Sequence, residues 1–398
     1  MTRMTRDNRI LVLGAGYAGM LCALRTAKLT RRRGGRVTLV NASARFTERL
    51  RMHQVAAGQE LADLRIPEML EGTGIEFVQG RVARIDAEAR EVKVEAPEGA
   101  RTLPYDTLVY ALGSVADTQA MPGVAEHAFT LDGPNAAGAL AARLAEIGPL
   151  GGTVTVCGGG LTGVEAAAEI AESHPGVKVV LLTRDVPGVL MGERARGYLH
   201  RALERLGVRV RSGVEITKVL PDAVELAGGE LVHSDACLWT TGVRVSPLAA
   251  DAGLEVDGRG RIVVDAGLRS VSHPAVFAIG DAAAVRQGWG EIHGTCQSGI
   301  PTAAHAADSI ARRLRGKESK PFRFGYLHQP VSLGRGDAVI QFTRPDDTPR
   351  RWMLTGRRAV AYKEFVSASP WKTYGLTKRY AGALVWPHGG RRNRPGLS

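Results

Sequence analysis

The chain has little that would let it work through sulfur. Its four cysteines, Cys22, Cys157, Cys237 and Cys296, are spread over 398 residues, and no C-x-x-C occurs. Neither a zinc site nor a redox dithiol has local support, so no metal is expected. Aromatics are scarce at 5%, whereas 49 glycines suit close packing of helix on sheet around a bound group. No run is long and apolar enough to span a bilayer. The apolar stretch from Ile10 to Leu24, preceded by Arg3, Arg6 and Arg9, imitates a secretion signal, but three glycines at fixed spacing interrupt it. The signatures of nucleic-acid modules are absent too, and no nucleic acid is expected as a partner. What is left is a globular chain, expected in a reducing cytoplasm, long enough for two or three domains. Its net charge of +12 favours anionic partners such as phosphorylated cofactors or lipid surfaces, and fits a plain solvated basic surface equally well.

The chain opens with a β-α-β pattern: strand Arg9 to Leu13, helix Tyr17 to Leu29, strand Arg36 to Val40. Arg31-Arg32-Arg33-Gly34-Gly35 reads as the helix end and turn, where cations suit the helix dipole. Short runs at Arg81 to Ile85, Val92 to Val94 and Thr107 to Leu112 suggest an added sheet and a return to the first. A second β-α-β follows, with strand Thr153 to Cys157, helix Val164 to Glu172 and strand Val177 to Leu182. This coarse duplication is the most informative feature of the organisation. Beyond it come a helix at Ala195 to Leu206 and strands around Val208 to Val219, Ala236 to Thr241, Arg261 to Val264 and Val276 to Ile279. From about Phe322 a smaller region carries strand-like runs at Asp337 to Phe342 and Ala359 to Tyr362. Trp371 to Trp386 has helical spacing, and a basic, Gly-rich tail, Gly389 to Ser398, is expected to be disordered.

Gly14-Ala15-Gly16-Tyr17-Ala18-Gly19 stands between strand and helix, the setting a dinucleotide fingerprint needs. Gly14 permits the tight turn, Gly16 lets backbone approach a pyrophosphate, and Gly19 lets helix and strand close up. Gly158-Gly159-Gly160-Leu161-Thr162-Gly163 repeats the same mechanics. Two fingerprints imply two dinucleotides, with hydride passing between them as the economical explanation. Where an acid usually holds a ribose, the first unit has Asn41, which both donates to and accepts from a diol, or simply ends a strand. The second unit has Thr183 and Arg184. Losing the acid removes repulsion towards a 2′-phosphate, and Arg184 is placed to grip one, which favours NADPH over NADH.

Together with Leu108-Val109-Tyr110-Ala111-Leu112-Gly113-Ser114, Leu238-Trp239-Thr240-Thr241-Gly242 and Val276-Phe277-Ala278-Ile279-Gly280-Asp281-Ala282, these fingerprints form an ordered set. The set resembles the pyridine nucleotide-disulfide oxidoreductase superfamily, in its branch without a redox disulfide. Within that branch it is most similar to type II NADH dehydrogenases, over roughly residues 9 to 345. The resemblance implies an α/β fold with two Rossmann-like domains and a small α+β C-terminal domain. FAD would be held by 1–114 with 245–320, NAD(P)H by 115–244, and 321–398 would form the third domain with its tail. It implies that Gly14, Gly16, Tyr17, Ala18 and Gly19 hold the FAD pyrophosphate, with Val82 near the adenine. Gly280 and Asp281 would meet the ribityl chain, while Gly158, Gly160, Thr162 and Gly163 would serve the nicotinamide cofactor. Glu165 matches the acid near nicotinamide and flavin, against a bland reading as a helix-dipole glutamate. Gly113 and Gly242 match the crossovers between domains.

The same resemblance places Arg45 to Gln54 beside the flavin, with Arg45 or Arg49 meeting phosphate and His53 lining an acceptor pocket. Related quinone reductases carry a Gln-rich helix here; this chain has Thr295-Cys296-Gln297 and, further on, Pro301 and His305. Gln297 and His305 are the candidates to touch the flavin or an acceptor, and for His305 an ordinary core histidine stands as the alternative. The expected activity is transfer of hydride from NADPH or NADH and reduction of a quinone or quinone-like small molecule. A small iron–sulfur protein or a biosynthetic substrate are the alternatives as acceptor. A flavin-bearing binding protein that engages membrane or a polyanion is the rival from another class. Basic, aromatic-flanked Trp371 to Trp386 would lie peripherally on the inner face of a membrane, on the protein's own body, or against a second copy in a homodimer.

Overall fold

The structure, a computed structural model, describes residues 8–382 and 384–390. Arg3, Arg6 and the tail from 391 to 398 lie outside the described residues, so the expectation of disorder there has no structural counterpart.

Two five-stranded parallel sheets carry the fold. The first runs, in spatial order, Val276–Ala278, Thr107–Tyr110, Asn8–Leu13, Gly35–Asn41 and Glu76–Gln79. The second runs Ala128–Phe129, Ala236–Trp239, Thr153–Cys157, Lys178–Thr183 and Arg209–Ser212. Counted outward from the strand before each glycine turn, the two orders are the same. Each sheet also has a three-stranded antiparallel meander inserted before its fourth strand: Arg81–Asp86, Glu91–Ala96 and Gly99–Pro104 in one, Ile216–Val219, Ala223–Leu226 and Leu231–His233 in the other. They differ in where the fifth strand comes from. The first sheet recruits it from after the second unit, and the second recruits it from before its own fingerprint.

Helices cover these sheets, which is why Ile10 to Leu13 and Val154 to Cys157 read as apolar on both faces and are buried. The second sheet's cover includes the helix Pro134–Ile147, which burial of Ala137, Leu140 and Leu144 fixes and which sequence patterning did not single out. The crossovers form a two-stranded ribbon, Ser114–Ala116 against Val243–Val245, directly after Gly113 and Gly242.

The third region is α+β. His328–Ser332, Ala338–Thr343 and Pro349–Thr355 form an antiparallel sheet, followed by the helix Gly356–Arg379. The strand expected at Ala359 to Tyr362 is therefore wrong. Ala359, Lys363, Ser367, Pro370, Tyr374 and Thr377 are the buried positions of that helix, a spacing of three and four that only a helix makes into one face. The helix expected to reach Trp386 stops at Arg379. The chain then turns back, and Trp386 Nε1 donates to Arg323 O at 2.9 Å. Tyr374, fully buried, donates to Tyr17 O at 3.0 Å, so this helix packs on the protein's own body.

Candidate active site

The two glycine turns are near copies. Gly14 and Gly158 adopt φ of +94° and +120°, which glycine takes without strain. A Cβ at Gly19 would lie 1.8 Å from Gly14 O, and one at Gly163 would lie 1.9 Å from Gly158 O, so helix and turn touch in a way no side chain permits. Gly16 and Gly160 differ from these. A Cβ there would meet nothing within 4 Å, and as the N-cap residues of Tyr17–Thr30 and Leu161–Ser173 they supply no side-chain cap. Each helix thus opens with unsatisfied N–H groups facing free space, the arrangement that a phosphate completes. The residues fit a dinucleotide at both turns.

At the first turn, Asn41 Oδ1 accepts from Ala15 N at 2.9 Å and Nδ2 donates to Ser43 O at 2.8 Å. Asn41 braces the loop, leaving one N–H and one lone pair for a ribose. Gly80, whose N–H donates to Asn41 O, leads into Val82 in the meander, so Val82 lies next to the same strand end. A Cβ at Gly280 would sit 3.4 Å from Ala18 Cβ, and one at Gly299 would sit 3.8 Å from it; the three residues close one side of the turn. Asp281 Oδ2 accepts from Ser114 Oγ at 2.8 Å, which joins the crossover ribbon to this corner. At the second turn, Thr240 Oγ1 donates to Cys157 O and Gly158 O. Thr162 is exposed in the first helical turn. Thr183 is buried and donates to Asp185 O, whereas the Arg184 side chain is 86% exposed with only a 4.0 Å pairing to Asp185.

Glu165 has a different environment from the helix-dipole reading. Buried one turn into Leu161–Ser173, its Oε1 lies 2.7 Å from Lys363 Nζ and accepts from Ser332 N at 3.0 Å. Burial opposes ionisation of this carboxyl; Lys363, His53 and the Ser332 N–H outweigh it and hold it below its ordinary range. Along the same helix face, Glu169 accepts from Gln59 and lies 3.9 Å from Arg335, with burial pushing its carboxyl up. Arg335 also reaches Glu364, which pairs with Arg51 in turn, each at 2.8 Å. Lys363 and Glu364 lie on the helix Gly356–Arg379, and Arg335 lies between the strands His328–Ser332 and Ala338–Thr343. Sequence reading missed them because nothing local distinguishes a buried lysine on a helix from an exposed one.

Four residues expected at cofactor or acceptor have partners within the protein. Gln297 is clamped to the backbone leading into and within the C-terminal sheet, donating to His328 O at 3.0 Å and accepting from Leu327 N at 2.7 Å. His305 is a core histidine: Nε2 lies 2.9 Å from Lys320 O and the ring packs on Phe322 at 5.2 Å. Arg49 donates to Ser114 O and lies 3.5 Å from Asp132, so its guanidinium braces the crossover, and Arg45 pairs with Asp63 at 3.2 Å. One proximity was invisible in the sequence. Cys157 and Cys237, on adjacent strands, place their thiols 3.6 Å apart as free cysteines.

Duplicated parallel sheets, each ending in an uncapped glycine turn, define an oxidoreductase that holds two dinucleotides. Residues 8–309 match the family model described as pyridine nucleotide-disulphide oxidoreductase, and the chain belongs to that family, whose cofactors are FAD and NADH or NADPH. The chain is 33% identical to an NADH dehydrogenase-like protein of Mycobacterium tuberculosis over 352 residues, 83% of this chain and 87% of the relative. It is 28% identical to the type II NADH:quinone oxidoreductase of Staphylococcus epidermidis, over 84% of this chain and 90% of that one. The crystal structure of the sulfide:quinone oxidoreductase from Aquifex aeolicus shares the fold with a TM-score of 0.79 at 18% identity, covering 93% and 92% of the two chains.

Proposed function

We propose that this flavoprotein takes hydride from NADPH or NADH and reduces a quinone or quinone-like small molecule. The carrying observation is the pair of matched glycine turns, open at Gly16 and Gly160 and closed at Gly19 and Gly163. In this reading Gly14 to Gly19, Asn41, Val82, Gly280 and Asp281 hold FAD, and Gly158 to Gly163, Thr183 and Arg184 hold the nicotinamide nucleotide. The units 1–114 with 245–320 and 115–244 meet at the ribbon after Gly113 and Gly242. FAD, when bound, supplies the two-electron chemistry; the chain's own residues orient both nucleotides and keep water out. Glu165 and Lys363 form a dry ion pair where the second domain meets the third, and an ammonium there can give a proton to an acceptor oxygen. The names of the relatives support the quinone as acceptor. Anaerobic mixing with NADPH and then NADH should bleach the flavin, and a soluble quinone should restore the colour. Bleaching by neither nucleotide would overturn the reading.

A peripheral membrane position is supported by one face of the helix Gly356–Arg379. Opposite its buried stripe, Phe365, Leu376 and, just past its end, Tyr380 are 68%, 53% and 67% exposed, interspersed with exposed Arg358, Lys372 and Arg379. A basic face carrying exposed apolar side chains suits an anionic lipid surface. Co-sedimentation with anionic vesicles, lost in Phe365→Ser/Leu376→Ser, tests it; equal sedimentation of both proteins would count against it.

A further inference from the structure

His53 sits where all three domains meet. Its short helix, Met52–Ala56, belongs to the first unit, yet Met52 and Ala56 join the apolar core of the second, packing on the helices Pro134–Ile147 and Leu161–Ser173. Pro134–Ile147 contributes Ala137, Leu140 and Leu144 to that core, and its Arg143 is tied to Asp235 O and Glu146 instead. The charged groups whose fields reach His53 are Glu165 from Leu161–Ser173, Lys363 from Gly356–Arg379, Arg335 from the loop between the first two strands of the C-terminal sheet, and Arg51 beside it. The imidazole is 3% exposed, and its Nε2 has no hydrogen-bond partner among the described residues. An unpaired nitrogen in the interior costs about 1–3 kcal/mol. Beside a buried ion pair, a free ring nitrogen is able to take up and give a proton.

We propose that His53 is a positioning residue that recharges Lys363 with protons during acceptor reduction. The inference rests on the reading above that the acceptor is a quinone-like molecule. A hydride brings two electrons and one proton, whereas turning two quinone carbonyls into hydroxyls takes two electrons and two protons. The missing proton leaves a Lys363 N–H as the acceptor O–H forms. The neutral amine then takes a proton from the His53 imidazolium, and His53 takes its own from water. The direction follows from charge. While Lys363 is an ammonium it opposes a second cation at His53; once Lys363 is neutral that opposition vanishes, and Glu165 favours protonation of the ring.

Two arms test this on the FAD-loaded protein. Histidine NMR titration, with the His53 signal identified by its loss in His53→Gln, should show the midpoint falling in Glu165→Gln and rising in Lys363→Met. Rapid mixing should show His53→Gln re-oxidised by a soluble quinone about tenfold more slowly, without the wild-type pH dependence and with partial rescue by added imidazole. Bleaching by NADPH should change less than about twofold. A midpoint unmoved in both variants, or re-oxidation at the wild-type rate and pH profile, overturns the proposal; His53→Asn is the substitute if His53→Gln does not fold. Failure of the wild-type protein to be re-oxidised by quinone would instead overturn the acceptor assignment, and the titration arm would still read the coupling.

Discussion

Lys363 and Glu165 face each other at 2.7 Å, each more than nine-tenths buried, one from the C-terminal helix and one from the helix of the second glycine turn. Desolvating two charges makes such a pair weak as a net source of stability, but removing one partner strands the other. Lys363→Met should therefore lower stability by about 3–5 kcal/mol, whereas Glu165→Leu combined with Lys363→Met should recover most of the loss. Urea unfolding of the wild type and the two variants checks this, and a double mutant as unstable as the single one would show that the pair is not the coupled unit.

Arg184 is exposed and carries only a 4.0 Å pairing with Asp185. If it meets a 2′-phosphate, Arg184→Ala should raise the KM for NADPH about tenfold, about 1.4 kcal/mol, and leave NADH within about twofold. Equal changes for both nucleotides would remove the 2′-phosphate from its role.

His328 gives a pH dependence with a definite sign. Burial, with Lys363 adding and Asp347 opposing, holds its imidazole at about 4, below the ordinary 6.5. Between those values the unfolded chain holds the extra proton, so stability rises with pH in this window. The contribution is fully present above about pH 6.5 and is lost as pH falls towards 4, by about 3 kcal/mol. His328→Gln should flatten that part of the curve relative to the wild type; parallel curves would contradict the assignment.

How much of this was legible depends on whether a residue's task is local. The turns at Gly14 and Gly158 were readable because strand, glycines and helix are contiguous, and backbone geometry alone dictates the residue types. The crossovers at Gly113 and Gly242 came only from the family resemblance, and the pairing of Ser114–Ala116 with Val243–Val245 joins segments too far apart in the chain to be read from either. The partners of Gln297 and His305 were not legible because position along a helix does not say which neighbour a side chain finds; backbone groups of Leu327 and Lys320 bond to them. Lys363 stayed hidden directly after a run, Ala359 to Tyr362, whose apolar character imitates a strand, although the same helix continues its buried spacing as far as Thr377. Arg49 looked like a phosphate ligand because arginine often is, and only the fold brings Ser114 and Asp132 to it.

The most direct test compares Gly16→Ala with Gly160→Ala, because neither added methyl meets any protein atom within 4 Å and both backbones already have negative φ. Each should cost about 1 kcal/mol or less in folding, as a changed N-cap does. Gly16→Ala should purify with well under half the FAD of the wild type, while Gly160→Ala should stay yellow and bind NADPH about tenfold more weakly. Full FAD in Gly16→Ala, or loss of FAD in Gly160→Ala, would contradict the assignment of one nucleotide to each turn.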